Sequence, residues 1–155
     1  MANGNSLTEA NLANISASET TPTQGWFLLL GSDEKVLAAA DVFNLIVFFS
    51  SFTPTTTTAC GTGGGTAKLY AVQMLTGFAA LDWSGGVALT TTGPSADRSK
   101  IIGTGIPSRP ITVLTESDGT ISTSVIAATT SQQLHSNPAP PPSAMRKVLY
   151  WREVF

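Results

Sequence analysis

Apolar residues in this chain gather in short runs separated by Gly, Pro, Thr, Ser and Asp, and no stretch repeats them at the three-to-four spacing of a long amphipathic helix. Trp26-Phe-Leu-Leu-Leu30 is a continuous apolar run stopped by Gly31, which at that length predicts a buried strand. Ser32-Asp-Glu-Lys35 is its polar turn, and Val36 to Ala40 reads as a second strand. Leu45-Ile-Val-Phe-Phe-Ser-Ser-Phe52 is the strongest strand signal, being rich in β-branched and aromatic residues, and Pro54 ends it. Thr55 to Gly65 is too rich in Thr and Gly to pack densely and reads as an irregular loop.

The same grammar continues downstream. Lys68-Leu-Tyr-Ala-Val72, the turn Leu75-Thr-Gly77 and Phe78-Ala-Ala-Leu81 form a predicted hairpin. Residues 83–100 return to Gly, Ser and Thr and predict a loop or a weakly paired edge. Ile111-Thr-Val-Leu114, the tight turn Ser117-Asp-Gly119 and a return strand from Thr120 to Ala127 make the clearest hairpin, because Asp-Gly supplies the left-handed pair that a two-residue turn needs. Asn137-Pro-Ala-Pro-Pro-Pro142 predicts a stiff, polyproline-like connector, and Val148-Leu-Tyr-Trp151 a final strand. Only the N-terminal stretch suggests a helical turn, where Ser6-Leu-Thr-Glu9 precedes Ala10, Leu12, Ala13 and Ile15. The organisation expected is a polar N-terminal segment over 1–24, β-rich units over 25–128, a Ser/Pro-rich connector over 129–144 and a closing strand over 145–155. The fold class is all-β, built of antiparallel meanders, either as two to three blades of a partial β-propeller or, alternatively, as a β-sandwich.

Charge narrows the function classes. Only 12 % of the residues are charged and the net charge is -2, so no basic field exists to hold phosphates, and nucleic acid is excluded as a partner. Thr- and Gly-rich, Lys-poor composition suits the solvent-facing strands and loops of an extracellular or cell-surface β protein. No export signal is read at Met1-Ala-Asn-Gly-Asn-Ser6, and the longest apolar run is far shorter than the ~20 residues of a membrane span. Cys60 is the only cysteine, which leaves no intrachain disulfide.

Candidate chemistry is sparse. His135 is the only histidine and reads as a loop residue beside the Pro-rich connector, so no Ser-His-Asp or Cys-His arrangement is expected and the chain is read as no enzyme. Gly61-Thr-Gly-Gly-Gly-Thr-Ala-Lys68 lacks both the Gly-Lys step and the following helix of a phosphate loop. Asp33-Glu34, and Glu116 with Asp118, lie in turn contexts and read as local hydrogen-bonding groups. Arg146, Lys147 and Arg152 form the one basic cluster, and with Tyr150 and Trp151 they make the candidate partner-docking edge.

The ordered phrases Gly25-Trp26-Phe-Leu-Leu-Leu30, Glu34-Lys35-Val36, Val47-Phe-Phe-Ser-Ser-Phe-Thr-Pro54, Cys60-Gly-Thr-Gly-Gly-Gly65, Leu69-Tyr-Ala71 and Leu75-Thr-Gly77 together resemble the C-terminal β-propeller region of PilY-type pilus biogenesis factors. Gly105-Ile-Pro-Ser-Arg-Pro110 and the terminal Lys147-Val-Leu-Tyr-Trp-Arg-Glu-Val-Phe155 are similar to the family's last-blade opening and closing segment. The resemblance covers 7–82 well and 101–155 more loosely. It implies a calcium-linked, non-enzymatic assembly factor and adhesin at the tip of a type IV pilus, with the rest of a PilY-like protein or minor pilins as partners in a hetero-assembly. The chain departs from the family in lacking an Asp-x-Asp-x-Asn-x-Asp loop, so no cofactor is assigned to it and calcium belongs elsewhere in the family's propeller. Lys35 also stands where Arg is usual. Two to three blades cannot close a ring, and their open edges imply pairing with another chain.

Overall fold

The computed structural model describes residues 8–16, 20–55, 64–83, 86–93, 95–132 and 134–140, with the backbone alone for 86–93, 95 and 96. The fold is all-β, as expected, and its sheets are antiparallel apart from one short pair. The structure shows antiparallel sheets and no closed ring of blades among the described residues.

The centre is a pair of long strands, β5 (Ile46–Pro54) and β6 (Gly65–Gln73), matched over nine residue pairs from Ile46↔Gln73 to Pro54↔Gly65. On one side of β5 lie the short strands β3 (Lys35–Val36) and β4 (Asp41–Phe43). Beyond β6 lie β7 (Ala79–Asp82) and β9 (Ser99–Thr104), and β8 (Gly86–Gly93) pairs with β7 in an interrupted register. Three further strands, β10 (Ile111–Ser117), β11 (Thr120–Ala128) and β12 (Leu134–Ala139), form a second antiparallel sheet.

Alternation along the central strands sends two sets of side chains to two faces. Ile46 and Phe48 of β5, Ala67, Leu69 and Ala71 of β6, and Ile102 of β9 join Val125, Ala127 and Ala139 of the second sheet in one hydrophobic cluster. The opposite face carries Val47, Phe49 and Ser51 of β5 with Lys68, Tyr70 and Val72 of β6. It is covered by the N-terminal chain, where β1 (Ala13–Asn14) pairs in parallel with β2 (Trp26–Phe27). Ile15 is fully buried there, and the Trp26 indole N–H donates to the Met74 carbonyl at 3.0 Å. Ser50, buried on the inner face, donates to the Ser108 carbonyl at 2.7 Å and so ties the central strand to the approach to β10.

Several expectations are corrected by these contacts. Trp26–Leu30 is not the buried strand expected, since only Trp26–Phe27 is paired and the run lies half-buried over the sheet, with Leu29 60 % exposed. Of the strand expected over Val36–Ala40 only Val36 is paired, as the end of β3, and the next strand, β4, begins after it at Asp41. The strand expected from Leu45 begins at Ile46, because Asn44 and Leu45 take φ of 50° and 60° and turn the chain between Phe43 of β4 and Ile46 of β5. Ser99–Thr104, for which no strand was expected, pairs with β6. Within the connector expected over 129–144, residues 130–132 turn the chain and Leu134–Ala139 is hydrogen-bonded as the outer strand of the second sheet; Pro138 is tolerated there because an edge strand can leave its nitrogen facing away from the ladder.

Other expectations match. The Ser117-Asp-Gly119 turn closes β10 on β11 with positive φ at Asp118 and Gly119, and the Leu75–Gly77 turn closes β6 on β7. Thr8 precedes a single short 3-10 turn, Glu9–Asn11, whose Asn11 side chain accepts from the Thr8 N–H at 2.9 Å. The closing strand over 145–155 and the loop around Cys60 lie outside the described residues.

Two substitutions test this architecture by urea unfolding. Phe48→Ala empties the inner face beneath both sheets and is expected to cost about 3–5 kcal/mol. Gly77→Ala combines a positive φ with a β-carbon that would collide with Ile15 Cδ1 and stand 2.6 Å from the Trp26 ring, so it is expected to lower the midpoint although it adds a single methyl group.

Candidate functional site

The outer face of β5 and β6 holds the most developed arrangement of polar and apolar groups. The chain enters it through the turn at Gly31–Glu34, in which Asp33 has φ 61° and the Glu34 N–H donates to the Gly31 carbonyl at 3.1 Å. That turn directs the Glu34 side chain onto the sheet, where it is 2 % exposed. Ser51 donates to Oε1 at 2.5 Å, Tyr70 donates to the same oxygen at 2.8 Å, and Lys68 Nζ lies 3.1 Å from Oε2. The Gly31 N–H donates to Oε2 at 3.1 Å, so both carboxylate oxygens are fully engaged.

Burial pushes the Glu34 carboxyl up, but the hydrogen bonds from Ser51, Tyr70, Lys68 and the Gly31 N–H outweigh it and hold the group below its usual 4.5. Burial and then the neighbouring Glu34 charge push the Tyr70 phenol far up, so it stays a donor. Glu34 thus fastens the incoming segment to two adjacent strands.

Beside this latch lies an apolar groove of about 330 Å³. Trp26, Leu28 and Leu30 form one wall, Val36 and Ala40 the other, and Val47 and Phe49 of β5 the floor. The Phe49 ring stacks on Tyr70 with centroids 4.6 Å apart and planes 7° off parallel, which joins the groove floor to the latch.

A second ion pair fastens the two sheets to each other. Asp41 of β4 accepts from the Thr112 N–H at 3.0 Å and the Thr112 hydroxyl at 2.8 Å, and Arg109 Nη2 lies 3.3 Å from its other oxygen. Burial pushes the Asp41 carboxyl up, while the Thr112 donors and Arg109 together bring it below its usual 3.8. Between the sheets, the inward-facing Thr123 and Asn137 keep a hydroxyl and an amide nitrogen buried without a hydrogen-bond partner, as does the indole N–H of Trp83. Lys100 approaches this row, with Nζ 3.4 Å from Asn137 Oδ1 and 5.9 Å from the Trp83 ring centroid.

The candidate docking residues Arg146, Lys147, Tyr150, Trp151 and Arg152 lie outside the described residues. His135 stands in β12, half-buried, and not in a loop. Lys68 of the glycine-rich stretch sits in a strand facing Glu34, which accounts for it without any phosphate. Glu34 keeps one local hydrogen bond of the kind expected, from the Gly31 N–H of its own turn, but its other three partners lie 17 to 36 residues away. The available signal was polar residues in strand context: Ser51 interrupts an apolar run, and Lys68 and Tyr70 share one face at a spacing of two. No group of three or more His, Cys, Asp or Glu side chains able to hold a metal occurs among the described residues, and no helix there is long and apolar enough to cross a membrane.

Comparison with family models, with curated proteins and with solved structures gives no match for this chain.

The latch predicts a definite pH response. Because the folded pKa of Glu34 is depressed, its contribution is fully present above about pH 4.5 and is lost as pH falls through the folded value. The stability gap between the wild-type chain and Glu34→Gln, measured by chemical denaturation, is therefore expected to be constant near neutrality and to shrink steadily below pH 4.5. Glu34→Ala at neutral pH strands the Ser51 and Tyr70 hydroxyls and is expected to cost about 3 kcal/mol, whereas loss of the partly exposed Lys68 in Lys68→Met is expected to cost about 1 kcal/mol or less.

Proposed function

We propose that this chain is a non-enzymatic piece of a PilY-like β-propeller, acting in pilus assembly or surface adhesion within a type IV pilus system. One observation carries the reading. Residues from four separate phrases of the resemblance meet at one place: Trp26 walls the groove, Glu34 closes the latch, Phe49 and Ser51 come from the aromatic strand, and Tyr70 comes from the Leu-Tyr-Ala strand. Phrases that a chain carries for one packing purpose are expected to converge in this way. The best-placed carboxylate is used up in holding strands together, which suits a scaffold more than a catalyst. No cofactor is assigned to the chain, and the reading places it outside the cell or at its surface, in a hetero-assembly with the rest of a PilY-like protein or with minor pilins.

A second reading has its own support. The core shared by Phe48 and Leu69 of one sheet with Val125 and Ala127 of the other is what two sheets stacked face to face produce, and this favours an extracellular β-sandwich that binds carbohydrate or protein.

The native mass of the chain purified from its source, with each co-purifying chain identified by mass spectrometry, separates the two. Stable association with a larger β-propeller protein or with pilins is the expected result. A well-folded monomer without a partner would favour the independent binding module.

A further inference from the structure

The geometry points to a carboxylate-binding site at the seam where Lys100 of β9 and Trp83, just past β7, meet the inner face of β11 and β12. The site is independent of the assembly reading. The two seams between the sheets are built from like parts. At the first, the Asp41 carboxylate accepts from a threonine hydroxyl, a backbone N–H and a cationic side chain, so every group there is matched. At the second, a threonine hydroxyl, a side-chain amide, an indole N–H and a cationic side chain are assembled, and no carboxylate of the described residues joins them.

The fold holds the second set together. Asn137 of β12 is the register partner of Val125, which places it diagonally across from Thr123 on the inner face, with β-carbons about 7 Å apart. Lys100 Nζ reaches Asn137 Oδ1 at 3.4 Å and stands 5.9 Å from the Trp83 ring centroid, so one cation links the strand to the indole. The Asn137 oxygen faces that cation, which leaves the amide nitrogen to donate elsewhere. Thr123 and Asn137 are 3 % and 5 % exposed, yet Thr123 Oγ1, Asn137 Nδ2 and Trp83 Nε1 have no hydrogen-bond partner. The rest of this face is Val125, Ala127 and Ala139, and aliphatic side chains in place of Thr123 and Asn137 would pack there without burying unpaired donors. Lys100 is exposed and forms no ion pair among the described residues, so it guards the solvent side of the site.

The chemistry of these groups selects the ligand. Three of the four can only donate and one of them is positive, so the ligand must accept and carry negative charge. A water molecule would satisfy two of them through its lone pairs and then have two hydrogens of its own to place. A carboxylate offers about four lone-pair directions and no hydrogen, and with each bond spanning roughly 3 Å it reaches donors about 7 Å apart. The chain's own nearby carboxylates do not serve. Asp82 alternates to the face opposite Leu81 and Trp83 and has partners of its own, and Glu116 of β10 is exposed and bonded to none of the four. The ligand's carboxylate is that of a free small acid or of an acidic side chain, and the buried donors recognise the same group in both.

Acetate is the probe that tests this on the full chain, followed through the Trp83 indole peak in proton–nitrogen correlation spectra, which Trp83→Phe identifies. A saturable shift with a midpoint on the order of 1–10 mM is expected, within the ceiling for so small a ligand. Chloride at equal ionic strength, and acetamide, which has the shape without the charge, are expected to leave the peak in place. Lys100→Met and Thr123→Val are each expected to weaken acetate binding about tenfold while melting no lower than the wild-type chain. Lys35→Met, in the exposed strand β3, is the control and is expected to bind as the wild-type chain does. A terminally blocked Gly-Asp-Gly peptide separates the sources: tighter binding than acetate assigns the site to an acidic side chain, and equal or weaker binding assigns it to a free acid. An absent or non-saturating shift, equal shifts with acetamide or chloride, or undiminished binding in both Lys100→Met and Thr123→Val would each overturn the assignment.

Discussion

A nine-residue antiparallel pair with apolar side chains on both faces must be covered twice, and the rest of this structure answers that requirement. β5 and β6 supply Phe48 and Leu69 to one side and Phe49 and Tyr70 to the other. A second sheet covers the first side with Val125 and Ala127, and the N-terminal segment covers the other with Trp26 and Ile15. The two covers differ in kind. The sheet closes its side with interlocking aliphatic groups, whereas the segment leaves a groove and is fastened by the Glu34 carboxylate, the Trp26 indole and the buried Ile15.

That difference explains where polar groups are found. Glu34 is tolerable in a buried position because four donors reach its two oxygens, so desolvation is offset by hydrogen bonds that exist only when the turn, β5 and β6 are all assembled. Asp41 acts similarly at the seam between the sheets, holding the start of β10 through both the backbone and side chain of Thr112. Each carboxylate reports on tertiary assembly, since all but one of the partners, the Gly31 N–H beside Glu34, come from segments far away in sequence.

Legibility in the sequence followed the range of the interactions. The Asp118-Gly119 hairpin and the turn at Gly77 could be read because the requirement for positive φ is local. β5 was legible from composition alone. The Asn44-Leu45 hairpin was hidden because leucine at a left-handed position looks like the continuation of an apolar strand. Trp26–Leu30 looked like a buried strand for a related reason: a run that lies across a sheet, with half its side chains against it, has the same composition as one paired within it. Proline made Leu134–Ala139 look like a connector, although an edge position removes the objection to proline. The latch could not be read as such, because the turn context of Glu34 says nothing about which strands pass beneath it.

The position of Pro138 also sets a direction for growth. Its ring removes one amide donor from the outer rim of β12, while Leu134 and Ser136, four and two residues before it, present theirs to that same rim. A strand added there would find donors near the start of β12 and a gap near its end, which weakens edge-to-edge growth of the small sheet at its C-terminal end.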